Sequence, residues 1–158
     1  MGLAAAQNGL KERRVMTEFS TNVFPNLKKS LQEAAGTPIE VEVIWDHMYH
    51  QTADSSYWAE NMKKIYFEPL ETALKAICSD NMGREALAAK IKKIRIVNTK
   101  GGYFDGCSIE GDTFIFDHAP DNNVDYGSDR VKEIQSFLEN NLWFSWLWEF
   151  VSFINFRK

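Results

Sequence analysis

The chain has 158 residues, the size of one ordinary domain, and its 44% hydrophobic and 25% charged content excludes a disordered polypeptide. Its formal net charge is −4, which disfavours a general nucleic-acid binder because such proteins carry an excess of basic residues. Cys78 and Cys107 lack C-x-x-C spacing, and the N-terminal residues contain no apolar run of signal-peptide length. These features predict a cytoplasmic protein with reduced thiols, with a single disulfide as the alternative.

Helical periodicity begins only after residue 16. We expect residues 1–16 to form a flexible lead-in, in which Met16 is an alternative native start. The chain then repeats apolar residues with helical spacing, at Phe19, Val23, Leu27, Leu31 and Ala34. Thr21 is the predicted N-cap of this helix, and Pro25 falls in the first turn, where no backbone donor is needed. Gly36 is predicted to end the helix.

The next third of the chain predicts one strand and two or three helices. Ile39–Trp45 alternates apolar and acidic residues, which is typical of a strand with one dry face, and residues 46–56 predict a loop. A long helical stretch follows, with predicted buried positions at Trp58, Met62, Ile65, Tyr66, Leu70, Leu74 and Ile77. Pro69 should kink this stretch or begin a second helix. Residues 79–83 interrupt it, and a short helix comes next, with one face at Ala86, Leu87 and Ile91.

The second half of the chain predicts strands and one final helix. Residues 94–98 predict a strand, and residues 103–109 and 113–117 predict a hairpin that turns at Glu110-Gly111 or Gly111-Asp112. The final helix begins at Ser128 or Asp129, with its buried side at Val131, Ile134, Leu138 and Leu142.

A block of strands between helices predicts a single α+β domain and not alternating βαβ units. We expect an antiparallel or mixed sheet of about four strands, with helices on one face and a long aromatic C-terminal helix. Residues 1–16 are the lead-in, residues 17–141 the α+β domain, and residues 142–158 the aromatic helix, packed on the domain or on a partner.

The aromatic helix is the least ordinary part of the sequence. Eleven of the fifteen residues from Leu142 to Phe156 are apolar. The four polar ones continue a narrow helical stripe that begins at Asn141, namely Ser145, Glu149, Ser152 and Asn155. Such a helix needs a cover, which is the rest of the domain, a protein partner or second copy, or a membrane surface. The predicted partner-binding residues are Trp143, Trp146, Trp148 and Phe150.

The sequence offers only weak candidates for chemistry. Asp46, His47 and His50 follow the first predicted strand, and His118 follows the last one. If these two strands are neighbours in the sheet, the four residues are candidates for a metal site or for proton transfer. Cys107 near a histidine is a candidate nucleophile, although a small buried side chain is the plainer interpretation of both cysteines. The only basic cluster is Lys90, Lys92, Lys93 and Arg95, without the interleaved aromatic residues of a single-strand binding surface.

No phosphate loop, nucleophile set or metal spacing is present, and no cofactor is expected. The leading hypothesis is a non-enzymatic acidic interaction protein, similar in kind to an inhibitor or immunity protein, that uses the aromatic helix for packing or partner contact. The alternatives are a metal-assisted hydrolase that uses the Asp46, His47, His50 and His118 cluster, and a peripheral membrane protein attached by the C-terminal helix.

Overall fold

A computed structural model describes the backbone at residues 9–48, 55–100 and 106–155, and the side chains at 9–48, 57–100 and 106–143. The helices are α1 (Leu10–Glu18), α2 (Phe24–Ala35), α3 (Ser55–Met62), α4 (Glu68–Ile77), α5 (Asn81–Lys90) and α6 (Gly127–Asn155). The strands are β1 (Glu40–Val43), β2 (Lys93–Val97), β3 (Gly106–Glu110) and β4 (Thr113–Asp117). The element order confirms the predicted single α+β domain with its long C-terminal helix.

The four strands form one mixed sheet in the order β1-β2-β4-β3. β1 and β4 both run parallel to β2, which lies between them, and β3 pairs antiparallel with β4 at the edge. The hairpin turns at Gly111-Asp112, where Gly111 has a φ of 61° that favours glycine over residues with a Cβ. Because β1, β2 and β4 are parallel, their carboxyl ends lie at the same end of the sheet.

One face of the sheet is dry and the other is polar. Across the sheet, Val41, Ile94 and Phe114 are in register and buried, as are Val43, Ile96 and Phe116 one pleat further on. On the opposite face, Glu42 and Arg95 are paired across strands and half-buried. The period-2 pattern thus places the helices on one face only, as predicted.

Helix α4 lies at the centre of the helical layer. It packs against α2 on one side and α6 on the other, and α5 also contacts α6. Its buried side carries Leu70, Ala73 and Leu74, none more than 1% exposed. The predicted buried positions of the long helical stretch are confirmed for all but Ile77, which is only partly buried.

Both prolines inside the helical stretches follow a π-helical turn. Phe19–Val23 forms one such turn before Pro25, and Lys63–Phe67 forms the other before Pro69. Proline donates no N–H and its ring clashes with the carbonyl four residues earlier, so a wider turn at that point relieves both problems. The predicted N-cap at Thr21 is therefore wrong: the helix runs through this residue from Leu10 without a break.

Three further differences have local causes. The segment expected to be a flexible lead-in is helical from Leu10, and Val15 and Met16 pack against the core, a contact that no stripe in the sequence reveals. β1 is shorter than predicted, because Trp45 enters a 3₁₀ turn, Trp45–His47. Gly83, expected in a linker, lies inside α5, whose N-cap is Asp80.

Gly83 allows α5 to begin directly against the end of α4. A Cβ added at this position would lie 1.7 Å from the carbonyl oxygen of Ile77, which is backbone and has little freedom to move. We expect Gly83→Ala to lower the free energy of unfolding by about 3 kcal/mol, because the start of α5 must shift away from α4. The matched control is Gly127→Ala, where an added Cβ meets nothing within 4 Å and the expected change is below about 1 kcal/mol. Urea titrations that give the two variants equal stability would contradict this explanation.

The open sheet face carries a cross-strand ion pair whose contribution depends on pH. Glu42 Oε2 accepts a hydrogen bond from Arg95 Nε at 2.7 Å, and this bond holds the pKa of Glu42 below its ordinary value. A lowered carboxylate pKa gives stability that is present above the ordinary range of glutamate, near pH 4.3, and lost as the pH falls through the folded-state pKa. Because the pair is partly exposed, we expect Glu42→Gln to cost at most about 0.5 kcal/mol at pH 7.

Denaturant titrations at several pH values test this effect. The difference between wild type and Glu42→Gln should shrink towards zero below about pH 4. A difference that stays constant or grows on acidification would show that the carboxylate charge is not its source. Glu85→Gln, at an exposed position of α5, provides the control for a change of net charge.

Candidate functional site

The carboxyl ends of the parallel strands, where α/β sheets commonly bind ligands, hold most of the residues that the sequence singles out for chemistry. Asp46 and His47 lie in the turn after β1, and His118 follows β4. The two segments are not neighbours, because β2 separates β1 from β4 by two strand spacings, about 10 Å. The condition on which the metal hypothesis depended is therefore not met by the strand order.

The described members of that set are not grouped with one another. Asp46 is exposed, the His47 carbonyl accepts from Asn98 Nδ2 at 3.2 Å, and the buried ring atom Nδ1 of His47 has no hydrogen-bond partner among the described residues. Among the side chains of residues 9–48, 57–100 and 106–143, no three from His, Cys, Asp or Glu are grouped so as to hold a metal ion. His50 lies outside the described residues.

His118 is 1% exposed and both of its ring nitrogens are hydrogen-bonded. Arg130 Nη2 lies 3.1 Å from Nε2, and a guanidinium can only donate, so Nε2 is the acceptor. The other nitrogen, Nδ1, therefore carries the proton and donates to the Ala119 carbonyl at 2.6 Å. The His118 ring is therefore the neutral Nδ1–H tautomer. Because Nε2 accepts from Arg130, neither ring nitrogen has a lone pair to offer a metal.

The same cluster ties three elements together. Arg130 in α6 also donates to the Asn123 carbonyl at 2.7 Å, and the hydroxyl of Tyr66 donates to the His118 carbonyl. Beside it, the Asp117 carboxylate accepts from the backbone N–H of Thr99 at 2.9 Å and from its hydroxyl. The end of β4 is thus fixed to α6, to the π-helical turn before α4 and to the end of β2.

Sequence reasoning missed Arg130, although a signal for it exists. Arg130 lies four residues before Ile134, at the first position of the buried stripe, and it is only 2% exposed. A charged residue in register with a core stripe indicates a buried, hydrogen-bonded cation. Thr99 carries no comparable signal, since its role depends on the pairing of β2 with β4.

The thiols and the basic cluster have structural explanations. Burial raises the pKa of the Cys78 thiol, which lowers its reactivity, and Cys107 faces Phe116 across the hairpin. Both cysteines are free thiols. Lys93 and Arg95 pair with acidic residues of β1, at 3.3 Å for Lys93 Nζ to Glu40 Oε1, so part of the basic cluster is neutralised.

Helix α6 changes character at Trp143. Its inner stripe in the first half is Ile134, Leu138 and Leu142, each at most 2% exposed. Steps of three and four residues continue the inner stripe to Ser145, Glu149 and Ser152, all polar. The outer side changes from polar to apolar. Its first half carries the exposed Lys132, Ser136 and Glu139, and the positions that continue it are Trp143, Leu147, Phe150 and Ile154. We call these last four positions the outer apolar stripe.

The predicted partner-binding residues divide between the faces of this helix. Trp143 and Phe150 belong to the outer apolar stripe, Trp146 occupies a flanking position, and Trp148 falls on the side of Arg130. Trp143 is 38% exposed, which is large for tryptophan. Over the described residues, no helix combines the length and the apolar character needed to cross a membrane.

Comparisons with protein families, with curated proteins and with solved structures return no match to this chain.

The Arg130 cluster makes a testable statement about stability. In Arg130→Met, the Nε2 atom of His118 and the Asn123 carbonyl lose a buried donor, which costs more than the desolvation of the guanidinium returns. We expect the free energy of unfolding to fall by about 2 kcal/mol in a denaturant titration. Lys132→Met, at an exposed position of the same helix, should change it by less than about 0.5 kcal/mol. A Met variant as stable as wild type would show that the cluster is not needed to hold α6.

Proposed function

We propose that this protein is a non-enzymatic, acidic interaction module of the inhibitor or immunity kind, which binds a protein partner through the outer apolar stripe of α6. The observation that supports this proposal most directly is the reversal of the two faces of α6 at Trp143. We also propose a cytoplasmic location, in agreement with the two free thiols.

The reversal matters because a helix presents one face to one neighbour. The first half of α6 buries Ile134 and Leu138 against the domain, and a helix advances by about 100° per residue. By this spacing, the positions of Ser145 and Ser152 fall in line with Ile134 and Leu138, whereas those of Leu147 and Phe150 fall in line with the exposed Lys132 and Glu139. An apolar stripe on that side calls for a cover from outside the chain.

The area of this surface suits a stable complex. Trp146 and Phe150 each cover about 150–250 Å² when buried, and Trp143 adds only its exposed 38%, which amounts to roughly 350–600 Å² for the three. A specific interface of standard size buries about 800 Å² on each partner. Tryptophan is also among the residues that contribute most to binding energy at interfaces.

The charge of the protein indicates the chemistry of the partner. With a net charge of −4, the protein attracts a basic surface and repels an acidic one. The proposed partner is therefore a protein with a basic rim around an apolar patch.

Two substitutions that add the same charge on opposite faces test the proposal. Phe150→Glu lies in the outer apolar stripe, and Ser152→Glu lies on the inner face two residues later. With each variant immobilised as bait in an extract of the native host, we expect Phe150→Glu to lose at least about tenfold of a captured polypeptide that Ser152→Glu retains. The captured protein is then purified and its binding to both variants is measured by calorimetry.

Other outcomes contradict the proposal. If Phe150→Glu lowers the thermal midpoint of the isolated protein by many degrees and Ser152→Glu does not, the stripe is covered by its own domain. If light scattering shows a dimer that only Phe150→Glu disrupts, the cover is a second copy. If only vesicles retain the wild-type protein, the cover is a lipid surface.

A further inference from the structure

A small groove lies beside the outer apolar stripe, where the turn between α4 and α5 faces α6. Its volume is about 150 Å³, and its floor is formed by Ile77, Ala86 and Leu142. Trp143 also lines it, as do Asp80 and Glu139, whose exposure places them at the rim. Because Trp143 belongs to both, the groove and the outer apolar stripe form one continuous surface.

The groove is negatively charged. Among the described residues that line it, the only charged ones are Asp80 and Glu139, and both are exposed. Asp80 uses Oδ1 to accept from the Gly83 N–H at 2.8 Å, and Glu139 uses Oε1 to accept from Gln135 at 2.9 Å. Each carboxylate has a second oxygen with which to meet a ligand. The positive end of the α5 dipole amounts to about half a charge, which two carboxylates outweigh.

We propose that this groove binds the guanidinium group of an arginine side chain presented by the protein partner. This inference rests on the proposed function, and it adds the chemistry by which the partner is selected. A guanidinium stacks on a tryptophan face and donates to carboxylates in its own plane, so Trp143, Asp80 and Glu139 meet different parts of one group. A cavity of about 150 Å³ also admits a planar group the size of benzene. The size of the groove, its tryptophan and its two carboxylates therefore all favour an arginine side chain.

The alternatives fit the groove less well. An acidic side chain would meet two like charges at the rim. A neutral apolar side chain would satisfy the floor but would desolvate both carboxylates without compensation. A lysine ammonium pairs with one carboxylate as a point charge and keeps more of its hydration, so it gains less from the tryptophan face.

Model peptides test the groove without the partner. The probe is acetyl-Gly-Arg-Gly-amide, and the comparison peptides carry citrulline, which is neutral and of the same shape, or lysine in place of arginine. Amide and indole chemical shifts of the ¹⁵N-labelled full chain report binding. We expect a saturable shift at Gly83, Ala86 and the Trp143 indole, with a dissociation constant on the order of 10 mM that rises with added salt.

Substitutions assign the binding to the groove. Trp143→Leu and Glu139→Gln should each weaken the arginine peptide about fivefold, whereas Glu85→Gln, an exposed acid of α5 that does not line the groove, should leave it unchanged. The proposal is overturned if no shift appears at the groove, if the citrulline peptide binds as well, or if the lysine peptide binds more tightly.

The outcome is separable from that of the proposed function. Phe150→Glu leaves Asp80, Glu139 and Trp143 in place, so the arginine peptide should still bind to that variant. Peptide binding with partner capture that does not depend on Phe150 would refute the proposed function alone. Loss of capture in Phe150→Glu with no peptide binding would refute the groove alone.

Discussion

The contact between the inner stripe of α6 and the helical layer constrains the rest of the molecule. Ile134, Leu138 and Leu142 are almost fully buried, and a buried side chain of this size contributes about 1.5–3 kcal/mol. This contact commits one face of α6 to the domain. Since α6 continues as a helix to Asn155 with about 100° of rotation per residue, the commitment also decides which later positions lie on the domain side. In the sequence, the positions in line with that face are the polar Ser145 and Ser152, and the outer apolar stripe lies on the opposite side of the helix.

The buried guanidinium of Arg130 sets the position of that contact along the helix. Burying a charge costs free energy that hydrogen bonds only offset, so the Arg130 cluster adds little net stability compared with a fully apolar set in place of all its members, whereas removal of Arg130 alone leaves its acceptors unpaired. Its effect is directional, because Arg130 Nη2 meets both the His118 ring and the Asn123 carbonyl, at 3.1 and 2.7 Å. Apolar packing alone would let α6 slide by a turn against α4. The hydrogen bonds of Arg130 fix the position of α6 relative to the end of β4. They thereby also fix where Trp143, at which the polar and apolar sides of α6 exchange, lies relative to the domain.

How much of this the sequence could reveal depends on the range of the interaction. Local rules sufficed for Gly36, whose left-handed conformation ends α2, and for the alternation of β1, which identified the dry face. The π-helical turns before the two prolines required the packing of both flanks, and the pattern alone suggested a new N-cap at Thr21. The parallel pairing of β2 with β4 was out of reach, because no local signal states which strand lies between two others. The condition set for the candidate metal site, that the strands before its two segments be neighbours, depended on the same pairing, and the role of Thr99 was invisible for the same reason.

The groove and the outer apolar stripe complement each other physically. In the proposed complex, the outer apolar stripe contributes buried area, which gives affinity but little specificity. The groove contributes two carboxylates and one tryptophan, which would distinguish among the side chains of a partner. Gly83 makes the second feature possible. Without a Cβ there, the start of α5 approaches the Ile77 carbonyl, and this close approach brings Asp80 and Ala86 to the groove that Glu139 and Trp143 line from α6. A residue with a side chain would push the start of α5 away and open the groove to solvent, so that a cation would lose its desolvated contact with the indole. In the proposed complex, the selection of an arginine side chain would therefore depend on Gly83, which need not touch the partner.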